Sequence, residues 1–253
     1  MRSNNKVVRV LGVLNARATA RQAYQVVLAR PTELEVAKNV VCLLLWLETI
    51  MGVQALDSAS ALFGYILHGH PLPAPLEGIP TIVGLCGGGR LVDLRFFKFH
   101  RDLVARGVAV IRDNIGALVF DDHLHARLRR FEEDANSSST PRPLPAPELM
   151  APFVAASRTP PEESRTAFVA FPECRCHRPC SQDIVNYFEK TLGFGRCIER
   201  VETERPGAGQ ATKHGIIVFM SEELRNEAMF QETAAFFRVD GHDTWVQLYM
   251  PPL

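Results

Sequence analysis

The chain lacks a net charge. Its 253 residues carry 28 Lys+Arg and 28 Asp+Glu. That balance argues against nonspecific nucleic-acid binding through bulk charge and leaves only a local basic patch for that purpose. Long hydrophobic runs are also missing. The densest, VVCLLLWL at Val40–Leu47, is bracketed by Lys38 and Glu48. A hydrocarbon core needs about 20 apolar residues, so this run reads as a buried helix centre and no membrane partner is expected. Cysteine is sparse, at six. The N-terminal segment has no apolar run followed by a small-residue cleavage site, so a secreted disulfide scaffold is disfavoured. Residues 1–30 hold Arg and Lys but no Asp or Glu, which leaves a transit peptide open, although the segment is not Ser-rich.

Catalytic signatures are missing too. GLCGGGR at Gly84–Arg90 is glycine-rich but lacks the Gly-Lys-Ser/Thr ending that supplies a charge and a magnesium ligand. No Gly-x-Ser-x-Gly nucleophile turn is present. His68 and His70 flank a proline-rich turn with no acid or nucleophile beside them. Asp121, Asp122, His123 and His125 are metal-capable types, but residues two apart on a helix do not face each other. The reading is therefore non-enzymatic, with no cofactor.

What is present is enough apolar material for a core, 47% hydrophobic with 8% aromatic. Residues 17–134 read as a mainly helical domain. A helix is expected from the possible capping box Thr32–Glu35 to Met51, and others over Ala55–Leu67, Arg90–Arg106 and Ile111–Phe131. In the third, Leu91, Leu94, Phe97 and Leu103 lie near one face. Residues 135–165, rich in Pro and Ser, read as a flexible linker. Residues 166–253 read as strand, helix, strand, strand, helix and final strand. The segments are Thr166–Phe171, Gln182–Leu192, Arg196–Glu204, Thr212–Met220, Glu222–Gln231 and Thr244–Tyr249, with a small extra strand at Phe236–Val239.

Two of those strands carry a family resemblance. TAFVAFP at Thr166–Pro172 stands where the RNA-recognition-motif (RRM) family has V-F-V-G-N-L. TKHGIIVF at Thr212–Phe219 stands where it has K-G-F-G-F-V-x-F. The resemblance spans about Thr166–Tyr249. It implies a C-terminal β-α-β-β-α-β, RRM-like (ferredoxin-like) sandwich, which together with the helical N-terminal domain read above makes the expected chain α+β overall. It also implies single-stranded RNA as a partner, bound on the open sheet face. Phe168 falls on the family's first stacking position, His214 on the next and Ile216 on the third. Lys213, Arg196, Arg200 and Arg238 are the basic residues that could meet the backbone. LLLWLE at Leu43–Glu48, DIVNYFEKTLGFGRCIERV at Asp183–Val201, KHGIIVF at Lys213–Phe219 and TWVQLY at Thr244–Tyr249 also resemble a plant-specific protein group. That group has a helical N-terminal half and a divergent C-terminal RRM, and the resemblance implies a regulatory role in the nucleus or cytoplasm.

The outward residues depart from the family where RNA is read. Bases stack on flat rings, at about 1–3 kcal/mol per base. Phe168 offers a full ring, His214 a smaller one and Ile216 none. Acidic residues outnumber basic ones from Phe171 onward. A protein-interaction adaptor that uses the same face for another chain, or for the N-terminal domain, is the competing expectation. Finally, CRCHRPC places Cys174, Cys176, His177 and Cys180 together, all residue types that ligate zinc. One short loop can hardly wrap all four tetrahedrally. Three of them could bind zinc with a ligand from elsewhere, such as Cys197, and loop or core cysteines is the favoured reading.

Overall fold

A computed structural model of the chain describes residues 7–29, 31–51, 56, 94–137, 144–171, 179–205, 207, 210–250 and 252. The architecture is α+β, with a helical N-terminal stretch and a C-terminal region of strands and helices. Contacts divide it into two compact units: Met1–Glu77 with Arg106–Arg158 and Leu253, and Gly78–Ala105 with Thr159–Pro252. The expected helix Ala55–Leu67, the glycine-rich Gly84–Arg90, and His68 and His70 lie outside the described residues. No helix of the described residues is long and apolar enough to cross a membrane.

The first unit is helical. It contains α1 (Val10–Ala16), α2 (Ala18–Leu28) and α3 (Leu34–Met51). On α2 the buried residues are Ala20, Ala23, Tyr24 and Val27, spaced by three and four so that they share one face. The longer α3 buries Ala37, Val41, Leu44, Leu45 and Trp46, and here the apolar run Val40–Leu47 becomes the expected helix centre. Arg90–Arg106 reads as one helix from sequence, but the chain forms α4 (Leu94–Phe99) and α5 (Arg101–Ile111). The boundary between the units falls within α5, after Ala105. A π-helical turn, Arg112–Gly116, follows, and α6 runs over Asp122–Asn136. Asp121 caps α6 by accepting from the N–H groups of His123 and Leu124 at 2.9 and 3.0 Å. Asp122 pairs with Arg21. These contacts give both aspartates structural work.

Two packed residues sit within the π turn. Gly116 sits where a Cβ would come within 3.0 Å of the Phe120 ring and 3.3 Å of Cys42 Sγ, so a side chain there would force packed groups apart. Asn114, 2% exposed, donates to Val110 O at 2.7 Å and Ser157 Oγ at 2.9 Å, and accepts from the N–H groups of Ala156 and Ser157. Asn114→Ala is expected to cost about 1–3 kcal/mol, because its buried and part-buried hydrogen bonds with Val110, Ala156 and Ser157 are lost together. A urea unfolding curve followed through Trp46 would read it.

The segment 144–158, expected as linker, belongs to the first unit. It contains α7 (Pro147–Met150) and the fully buried Leu149. Arg9 bridges to Pro152, and Val10 N–H donates to Ala151 O at 3.0 Å. Leu149 packs with Val10, Leu14 and Leu128. Proline-rich text hid this anchor: between the prolines, one apolar residue and a few backbone hydrogen bonds suffice to dock the chain.

The second unit is built on a five-stranded sheet in the order β2-β3-β1-β5-β4, antiparallel throughout. Its strands are β1 (Thr166–Ala170), β2 (Ile198–Thr203), β3 (His214–Phe219), β4 (Ala234–Val239) and β5 (His242–Leu248). Between β1 and β2 lies α8 (Ser181–Asn186), extended by a π turn over Tyr187–Thr191. Between β3 and β4 lies α9 (Glu222–Ala228). Ile184, Phe188, Ala228 and Met229 cover one sheet face, against Ala167, Val169, Ile217, Phe237 and Val246. Gly215 in β3 lies opposite Val169 of β1 and Thr203 of β2, where a Cβ would stand 3.0 Å from Glu202 O.

Candidate functional site

The candidate site is the other face of this sheet. Side chains alternate along a strand, so Phe168 and Ala170 of β1 point opposite to Ala167 and Val169. Register places Phe168 beside Ile216 of β3 and Gln247 of β5, and Ala170 beside His214. The three expected stacking residues therefore share one face. All five residues of β1 are nevertheless buried. Phe168 and His214 are each 0% exposed, and Ile216 is half-buried.

The cover is α4 and the residue after it. Phe96 and His100 are four apart on one helical face. Ring centroids lie 5.3 Å apart for Phe96 and Phe168, 5.7 Å for Phe96 and His214, and 4.9 Å for His100 and Phe168. Tyr249 closes the side of Phe168 at 5.5 Å. The Phe96 and Tyr249 rings meet Phe168 edge-on, the arrangement that sets a positive ring edge against a negative face. Phe96 is 0% exposed and His100 4%.

Charge fixes the same helix. Arg95 grips Glu204 with two hydrogen bonds, 2.9 Å from Nε and 2.7 Å from Nη2, and Nη2 also donates to Ala211 O at 2.8 Å. This two-pronged pairing is geometrically specific. Burial pushes the Glu204 carboxyl up, but the hydrogen bonds from Arg95 and the Lys213 N–H, with the Arg95 charge, outweigh it and hold the group below the usual carboxylate range. Burial, reinforced by neighbouring His214, pulls His100 down to about 3, so its imidazole stays neutral.

The expected basic residues are dispersed. Arg200 on β2 and Arg238 on β4 stand on opposite edge strands. Arg200 binds Glu162 at 2.6 Å and Glu202 at 2.8 Å, which raise its pKa and offset its charge. Arg238 is exposed and lies across from Asp243. Arg196 is exposed ahead of β2, and Lys213 is half-buried ahead of β3. Of the cysteine cluster, Cys174, Cys176 and His177 lie outside the described residues. Cys180 is exposed at the start of α8. Cys197 is buried in the sheet core, where burial pushes its thiol up to about 11; the protonated thiol is a poor metal ligand. Among the described residues no group of three or more metal-ligating side chains forms.

No family model, curated protein or solved structure matches this chain. The site is thus defined by its own residues. Sequence reasoning missed Arg95, Phe96 and His100, which it placed in the helical domain. The available signal was RFFKFH at residues 95–100, three phenylalanines and a histidine within six residues.

Proposed function

We propose that the chain is a non-enzymatic protein-interaction adaptor in which an RRM-like sheet has been repurposed. In this reading α4 permanently occupies the face that would otherwise stack bases. The RRM-like assignment draws support from the order β2-β3-β1-β5, with both intervening helices on one face. The observation that carries the adaptor reading is the complete burial of Phe168 and His214 beneath Phe96 and His100.

Magnitudes favour it over single-stranded RNA recognition on this face. Exposing Phe96 forfeits about 1.5–3 kcal/mol of apolar burial. The bidentate Arg95–Glu204 pair would be lost as well. Stacking one base on Phe168 returns only about 1–3 kcal/mol. RNA binding remains the second reading, favoured by the shared direction of Phe168, His214 and Ile216 on adjacent strands.

A titration of the full chain with mixed-sequence single-stranded RNA at moderate salt separates the two. The adaptor reading predicts no saturable binding. Saturable binding that Phe168→Leu abolishes would overturn it.

A further inference from the structure

Two phenylalanine rings meet on the helical side of the second unit, where both of its helices end. Phe230 stands just past α9 and is 60% exposed. Its ring lies 5.9 Å from that of Phe194, at 57°. Phe194 is half-buried and follows the π turn that extends α8. It sits between Gly193 and Gly195, at φ 78° and 65°, angles that glycine takes at no steric cost. Beneath Phe230 lies the buried Phe237 ring, 6.5 Å away and nearly parallel.

Phe230 is an unexpected residue for its place. The N–H groups of Phe230 and Gln231 return to Glu227 O and Asn226 O at 2.9 and 2.8 Å, ending α9 as a Schellman motif. Phe230 takes the position that glycine normally fills, at φ 53°, and Gln231 follows at φ 65°. Two successive side chains in the left-handed region are backbone strain. The local fold gains little from a ring that is mostly in water, so the strain points to a contact beyond it.

Charge around the rings is sorted by end. Lys190 and Arg196 flank Phe194 in the chain, Glu227 and Glu232 flank Phe230, and all four are exposed. Among the described residues none of these four side chains is in an ion pair. Glu189, the acid at the Phe194 end, is committed to the N–H groups of Cys197 and Ile198, at 3.2 Å each. Near Phe230, Arg225 is buried, and Arg238 alternates with Phe237 onto the other sheet face. The patch therefore has a basic end, two rings and an acidic end. Such a surface is complementary to itself after a half-turn.

We propose that the Phe194–Phe230 patch is a homodimer interface: a second copy of this chain docks by a twofold rotation, with Phe194 of each copy against Phe230 of the other. The rotation lays Lys190 and Arg196 of one copy against Glu227 and Glu232 of the other, twice over. A phosphate backbone, or a peptide of one charge, meets like charge at one end of the patch. A standard interface buries about 800 Å² per partner, more than two rings and their flanks supply, so the dimer is weak, with Kd about 10–100 μM. The inference goes beyond the adaptor reading and does not rest on it.

Sedimentation equilibrium of the full chain, from about 1 μM to about 1 mM, reads the association. The average mass should climb toward twice that of the monomer. Phe230→Gly should weaken dimerisation about twentyfold or more, since the ring enters a twofold interface twice. Glycine suits φ 53°, so that loss would not come from unfolding. Lys190→Glu with Arg196→Glu makes both ends acidic, and Glu227→Lys with Glu232→Lys makes both ends basic. Each double variant alone should associate about tenfold weaker than the parent or worse. An equimolar mixture of the two should dimerise like the parent, with one charge contact as in the parent and the other reversed in sign. Adding Phe230→Gly to both should abolish that rescue. A parent that stays monomeric over the whole range overturns the interface. So does parent-like dimerisation of Phe230→Gly or of either double variant alone, or a mixture that fails to associate.

Discussion

Phe96→Ala is expected to destabilise the second unit by about 3–5 kcal/mol, the range for deleting a buried phenylalanine ring. The ring touches Phe168, His100 and His214, so its loss opens a cavity between α4 and the sheet. The variant should also expose Phe168 and bind a hydrophobic dye in its native state. Trp245 lies in this unit and Trp46 in the other. In a Trp46→Phe background, urea unfolding followed by Trp245 fluorescence reads the effect. Phe96→Leu should recover much of it, because a branched apolar side chain refills part of the space. An alanine variant as stable as the parent would mean that α4 does not seal the face.

The second large effect is acid sensitivity centred on His100. Its unfolded pKa is near 6.5 and burial lowers the folded value to about 3. Above about 6.5 both states are neutral, and the group adds no pH dependence. Below it the unfolded chain takes up a proton that the folded chain refuses, so stability falls from about pH 6.5 down to about pH 3. Between pH 7 and pH 5 the loss is about 2 kcal/mol. His214 and the Arg95–Glu204 pair lie at the same interface, so the comparison requires His100→Phe. That variant should flatten most of the slope. A parent whose stability is level between pH 7 and pH 5 would contradict the burial of a neutral imidazole.

Much of the second unit was legible because its segments are bounded by turn chemistry. Gly193–Gly195 ends the first helix region, Ser221 caps α9 through Leu224 N–H at 3.2 Å, and DG at 240–241 makes the hairpin. The strand ends shifted by a residue or two: β1 stops at Ala170 and β2 starts at Ile198. The face residues were paired correctly in direction, since Phe168, His214 and Ile216 share one side. What covers them was harder to read. Contact between residues 96 and 168 is long-range, and no local pattern encodes it. One clue did stand in TAFVAF. A strand with one wet face alternates apolar and polar residues, whereas β1 is apolar almost without a break, the mark of a strand buried on both sides. In β5 burial does alternate, with Thr244, Val246 and Leu248 buried and the residues between them less so. The cover was misplaced because the Pro- and Ser-rich segment 135–165 looked like the only division of the chain. Contacts place residues 94–105 with the sheet and 144–158 with the helices.

The central claim is that α4 lies on the sheet face in the folded chain. Nuclear Overhauser contacts measured on full chain with labelled phenylalanine and histidine rings test it most directly. The account predicts cross-peaks between the Phe96 and Phe168 rings, 5.3 Å apart by centroid, and between His100 and Phe168, at 4.9 Å, both unchanged when single-stranded RNA is added. Absence of these cross-peaks, or their disappearance on adding RNA, would contradict it.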